Sequence, residues 1–81
     1  MRARYSQRFL RQYASAPAEV QRAFDKQCGF LLENLSHPSL RAKKFDEAPG
    51  LWQGRVNRNW RFYFTIEGEE YRLHDIRAHP K

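Results

Sequence analysis

Arg55 and Arg61 flank a turn in RVNRNWRFYFTI, and the same chain carries three histidines, His37, His74 and His79. Guanidinium forks hold phosphate or carboxylate bidentately, and imidazole moves protons near neutral pH. Together these types suit the gripping of an anion and the transfer of a proton beside it, which is what phosphodiester cleavage needs. His37 precedes Pro38 at a predicted helix end and reads as structural, which leaves His74 and His79 for chemistry. No His/Cys/Asp/Glu grouping has metal-ligand spacing, and there is neither a glycine-rich phosphate loop nor a nucleophile elbow. Cleavage by this chain is therefore expected to use no metal or other cofactor. That points to RNA, whose 2′-hydroxyl is a built-in nucleophile that DNA lacks.

The composition agrees with an anionic partner. Fifteen Lys and Arg stand against nine Asp and Glu in 81 residues, for a net charge of +6. Such a balance favours nucleic acid or an acidic protein over a neutral ligand. The length allows one domain, residues 1–81, with one core. Aromatics at 15% of the chain supply large buried areas that offset a small domain's poor surface-to-volume ratio. Cys28 is the only cysteine, so no intrachain disulfide forms, and a reducing cytosol is expected. MRARYSQRF has charge but no apolar stretch of signal-peptide type, and no apolar run reaches membrane-spanning length. A soluble cytoplasmic protein with no membrane partner is the expectation.

Hydrophobic spacing sets out the elements that must position these groups. Arg2 to Tyr5 reads as a short edge strand. Ser6 then caps a helix carrying Phe9, Leu10 and Tyr13. Pro17 falls in the first turn of a second helix, where Val20, Phe24, Cys28, Leu31 and Leu35 recur at helical period, broadened by Ala23, Phe30 and Leu32. Ser36 to Ala42 is a loop, and Lys43 to Ala48 a short strand. After Pro49-Gly50, strands follow at Leu51 to Val56, Trp60 to Ile66 and Tyr71 to Arg77. The fold class is α+β: a short N-terminal strand and a two-helix hairpin packed on one face of an antiparallel sheet of three to four further strands, the other face open to water.

Parity then places the charges. Trp60, Phe62, Phe64 and Ile66 form the core face of one strand, and Trp52, Gly54 and Val56 that of its neighbour. A two-residue loop at Arg58-Asn59 would oppose Arg55 to Phe62 and mix the faces. A three-residue loop, Asn57 to Asn59, opposes Arg55 to Arg61 and Gln53 to Tyr63, with Asn59 free to take a left-handed conformation. Gln53, Arg55, Arg61 and Tyr63 then form a polar patch on the open face. Opposed like charges repel by a few tenths to about 1 kcal/mol, and a bound phosphate reverses the sign. With an even-length turn near Glu67-Gly68, Tyr71 and Leu73 face the core and His74 faces the patch. Arg58, Lys43, Lys44 and Lys81 are further cations for a phosphate backbone. On this reading Arg61→Ala folds normally.

HPSLRAKKF, LWQGRVNRNWRFYFTI and YRLHDIRAHPK, following two helices, resemble the RelE/ParE superfamily of bacterial type II toxin–antitoxin toxins. The most specific part is Arg55-Val56, a turn, then Trp60-Arg61 and a hydrophobic strand. The resemblance implies a toxin held inactive by a cognate antitoxin in an oligomeric complex. RelE-like members are mRNA interferases: they cleave messenger RNA on the ribosome without metal and so inhibit translation. ParE-like members poison DNA gyrase by protein binding, and inactive members are a further alternative. On the RelE-like reading Arg61 matches the arginine that contacts the scissile phosphate. Arg55 takes the place of a basic residue on the preceding strand, and His79 falls where related nucleases carry a histidine or arginine. Gln53 stands where such nucleases often have a second basic residue, and the sequence ends at Lys81 without the C-terminal aromatic that some use.

Overall fold

The structure, a computed structural model, describes residues 1–45 and 48–79. The elements in chain order are β1 (Arg2–Tyr5), α1 (Gln7–Ser15), α2 (Ala18–Glu33), a 3-10 turn (Pro38–Leu40), β2 (Lys43–Lys44), β3 (Trp52–Arg55), β4 (Trp60–Glu67) and β5 (Glu70–Ala78). They build one five-stranded sheet of order β1-β5-β4-β3-β2. The strands β2 to β5 are antiparallel as expected, whereas β1 adds to the edge of β5 in parallel. A parallel partner needs a crossover, and the two helices supply it.

Ser6 caps α1, its Oγ accepting from the Phe9 amide at 3.0 Å. The helix buries only Phe9; Leu10 points outward and is 51% exposed. Pro17 stands at the cap of α2, one residue before the first turn. Val20, Phe24, Cys28 and Leu31 are buried along α2 as their period requires, but Leu32 is 39% exposed. The core is a run of rings: Phe9 on Phe24 (centroids 5.1 Å), Phe24 on Phe62 (5.4 Å), Phe62 on Phe64 (5.5 Å) and Phe64 on Tyr71 (5.7 Å). Rings at these separations add contact energy beyond their burial. Ile66, at the outer end of β4, is 37% exposed.

One glycine is demanded by packing. Gly54 pairs with Phe62, and the Phe62 ring occupies the space that a Cβ at position 54 would take. Gly68 is demanded by conformation, because its φ of +61° opens the two-residue turn between Glu67 and Glu70.

The expected strand from Lys43 to Ala48 contracts to Lys43–Lys44, with one more bond from the Phe45 amide to the Leu51 carbonyl at 2.7 Å. Asp46 and Glu47 of that stretch lie outside the described residues, as does Lys81. Among the described residues no helix is long and apolar enough to cross a membrane.

Candidate phosphate-binding site

The β3–β4 hairpin has the register that parity requires: Arg55 opposes Arg61 and Gln53 opposes Tyr63. The turn is held differently from expectation. Asn59 does not adopt a left-handed conformation. Instead the Asn57 side chain accepts from the amides of Asn59 (2.9 Å) and Trp60 (3.0 Å), the local side-chain bond that lets Asn build turns. Arg61 also serves the turn: its Nη1 donates to the carbonyls of Asn57 (2.6 Å) and Trp60 (2.9 Å). Arg61 is thus part of the hairpin's own bonding as well as of the cationic row, so Arg61→Ala is expected to fold with a lowered stability.

The row of cations is longer than parity alone suggests. Between Tyr63 and Phe64 the β4–β5 register slips by one residue, so that Tyr63 opposes Asp75 while Phe64 opposes Leu73. His74 is the extra residue of a β-bulge, and Ile76 rather than Asp75 continues the core face. Helix α1 and its cap take up the backbone groups beside the slip: Ser6 Oγ donates to the His74 carbonyl (3.1 Å), and the Ile76 amide donates to Gln12 Oε1 (2.9 Å). Past the bulge the faces exchange. Arg77 now opposes Arg61, completing the row Arg55, Arg61, Arg77 across three strands. His79 shares the parity of Arg77, and its amide donates to the Asn59 carbonyl.

Arg55, Arg61 and His79 line one cavity of about 200 Å³ together with Arg41, Lys43, Gln53 and Gly54. That is room for a phosphate-sized group. Four of these residues are arginine or lysine, and among the described residues no acidic side chain joins them. The carboxylates that pair elsewhere are engaged away from the cavity: Glu70 with Arg2, Arg4 and Arg72, Glu67 with Arg72, and Asp75 with Arg8. Among the described residues no ion pair involves Arg41, Lys43, Arg55, Arg61 or Arg77. Burial, followed by repulsion from Arg55, lowers the Arg61 guanidinium pKa from its ordinary value; Tyr63 opposes that shift and Arg41 adds to it. Arginine starts so high that it remains a cation at neutral pH.

The expected residues divide accordingly. Arg55, Arg61, His79, Gln53 and Lys43 converge on the cavity. Lys44 does not, because it opposes Trp52 and so shares the core-side parity. Arg58 projects from the turn into a neighbouring groove. His74 is held away, its Nε2 bonded to Thr65 Oγ1 at 2.9 Å. Gln53 and Tyr63 are not an open patch: they are 6% and 3% exposed, and Gln53 Nε2 donates to Tyr63 Oη at 3.4 Å. Phe45 packs edge-on against Tyr63 (5.2 Å), and the Arg77 guanidinium lies over the same ring at 4.3 Å. Tyr63 is therefore a platform for Arg77. His37 is structural as expected, stacked on Phe30 at 3.9 Å and accepting from the Ser39 amide.

Two site residues escaped the sequence reading. Arg77 had a signal, because Tyr71, Leu73 and Ile76 break strict alternation and so imply a bulge. Arg41 had none. It ends the 3-10 turn at φ 46° and ψ 41°, a left-handed conformation that costs a non-glycine residue roughly 1–2 kcal/mol. Among the described residues no three His, Cys, Asp or Glu are grouped so as to hold a metal ion.

No protein-family model matches the sequence, and no curated protein sequence matches it. Solved structures do match in fold. A YoeB/ParE toxin from Agrobacterium tumefaciens superposes with a TM-score of 0.81 at 15% identity, over 99% of this chain and 100% of that one. The RelB–RelE antitoxin–toxin complex from Methanococcus jannaschii matches at 0.73 and 13% identity, over 91% of this chain and 87% of that one. A YoeB dimer from Staphylococcus aureus matches at 0.81 and 12% identity, over 99% and 98%. The chain has the RelE/ParE-like toxin fold over essentially its full described length.

Proposed function

We propose that this protein is the toxin of a bacterial toxin–antitoxin pair and acts in the cytoplasm as a ribosome-dependent endoribonuclease on messenger RNA. The observation that carries the reading is the cross-strand row Arg55, Arg61, Arg77, with Arg55, Arg61 and His79 lining a cavity that Arg41 and Lys43 share. Such a site is complementary to a phosphodiester whose charge grows in the transition state. The 2′-oxygen attacks the neighbouring phosphorus and gives its proton to water. The P–O5′ bond breaks, and the departing oxygen takes a proton from His79, leaving a 2′,3′-cyclic phosphate and a 5′-hydroxyl. Arg55 and Arg61 hold the non-bridging oxygens, and Arg41 and Lys43 add to the field. No step needs a metal.

Fold likeness to YoeB/ParE and RelE toxins supports the toxin assignment, and the RelB–RelE complex supports a cognate antitoxin as partner. An antitoxin carboxylate laid on the cationic row would occupy the place of the phosphate and silence it. Induced expression in bacteria tests the reading through mapped RNA 5′ ends. Cuts inside translated codons are expected. Intact messages with a DNA-damage response would overturn it in favour of gyrase inhibition.

A further inference from the structure

A second groove lies on the far side of Arg41 and Arg55. It encloses about 610 Å³ between α2, the 3-10 turn and the β3–β4 hairpin, and Lys26, Arg41, Arg55 and Arg58 are its charged lining. Among the described residues no acidic side chain lines it. Arg41 and Arg55 belong to both cavities, so the two form one cationic track with these arginines as the ridge between them.

The walls of the groove are tied by one buried side chain. Gln27 is 5% exposed; its Nε2 donates to the carbonyls of Ser39 (2.9 Å) and Arg55 (2.8 Å), and its Oε1 accepts from Ser39 Oγ (2.8 Å). Helix, turn and hairpin are thereby locked in one arrangement before any ligand arrives. Resting on the reading above, we infer that this groove is a second phosphate subsite, which receives the backbone of a single RNA strand next to the phosphodiester held at Arg61.

Chemistry favours a nucleic-acid strand over an acidic protein segment. The apolar lining residues are Ala23, Pro38 and Val56, and Val56 is only 4% exposed. A protein partner needs aromatic or large aliphatic anchors to fill such a groove. A phosphate strand needs a spaced series of cations, which is what the track offers. Lys26 Nζ lies over the Phe30 ring at 6.0 Å from its centroid, the outer reach of a cation–π approach, at the groove's edge.

The test uses the full chain and uncleavable 2′-O-methyl RNA, as a dinucleotide with one phosphodiester and as an octamer, with affinities measured against salt. Wild type is expected to bind the octamer more tightly. Each phosphate contact on a single strand contributes about 0.7 to the slope of log K against log salt. The double variant Lys26→Ala/Arg58→Ala is therefore expected to lower the octamer slope by about 1.4 and to lose the gain with length. Arg61→Ala weakens both oligonucleotides. An unchanged octamer slope in the double variant overturns the subsite while leaving the Arg61 site standing. Loss of polyglutamate binding without loss of octamer binding assigns the groove to an acidic protein and also overturns it. Failure of wild type to bind the octamer overturns the subsite, whereas the nuclease reading stands or falls separately on cleavage at the ribosome.

Discussion

Replacing Arg61 with alanine acts on the hairpin and on the cationic row at once, and the two effects have separate readouts. The side chain's contacts to the Asn57 and Trp60 carbonyls, at 2.6 and 2.9 Å, are charged-donor bonds. Bonds of this kind are worth about 1.5–3 kcal/mol when buried and less in a half-exposed turn. The third contact, to the Arg58 carbonyl at 3.4 Å, is too long to add much. The Trp60 carbonyl keeps the amides of Val56 and Asn57, so the Asn57 carbonyl is the group that loses most. Against this, removing the charge relieves repulsion from Arg55 and Arg77, a few tenths to about 1 kcal/mol per opposed pair. The net loss is about 1 kcal/mol. For a domain of this size that lowers Tm by about 4–8 °C.

The second readout is thermal stabilisation by inorganic phosphate, at ionic strength matched with chloride. Phosphate at 100 times its wild-type Kd raises wild-type stability by about 2.7 kcal/mol, and a tenfold loss of affinity in the variant cuts that to about 1.4 kcal/mol. A variant stabilised by phosphate as much as wild type removes Arg61 from the anion site. A variant that melts above wild type without phosphate shows that repulsion outweighs the turn's hydrogen bonds, which refutes the structural half.

His79→Ala is expected to lower the single-turnover cleavage rate by about 10²–10⁴-fold with little change in melting, because the site's backbone bond uses the amide and not the ring; an unchanged rate assigns the proton transfer elsewhere. Gly54→Ala forces a methyl group into the Phe62 ring and is expected to cost about 1–3 kcal/mol, read as a shift of the urea midpoint. Tyr5 is 43% exposed, yet its hydroxyl end lies against Cys28 Sγ at 3.7 Å. Burial and that contact push its pKa from 10.0 up to about 12. The folded state then holds this proton more tightly than the unfolded state, so the associated stability is intact below pH 10 and falls as pH rises from 10 to 12. Tyr5→Phe should flatten that part of an alkaline stability profile, and an unaltered profile contradicts the assignment.

The hairpin was legible because a three-residue loop is the one that keeps Trp52, Gly54 and Val56 on the same side as Trp60, Phe62 and Phe64. A single dry face determines a register. The helices were legible from Val20, Phe24, Cys28 and Leu31, whose period admits one buried stripe. Three things were not. The bulge at His74 depends on Ser6 and Gln12 reaching from α1 and its cap to the backbone on either side of it, contacts between residues more than sixty positions apart in the chain. That bulge brings His79 and Arg77 to the Arg61 face, and without it parity gives the core side. The covering of Gln53 and Tyr63 depends on Phe45 and Arg77 folding over them, so the sheet's second face is only partly open. Arg41 reaches the site through a left-handed residue that no local preference announces.

The most direct test of the central claim is cleavage on ribosomes programmed with a message of defined sequence and a vacant A site, in the presence of a chelator that spares the ribosome's magnesium. The arginine row with His79 predicts a single cut within the A-site codon, ending in a 2′,3′-cyclic phosphate upstream and a 5′-hydroxyl downstream, and abolished in Arg61→Ala. An intact message after prolonged incubation with folded wild-type protein, or an equal cut by Arg61→Ala, would contradict it.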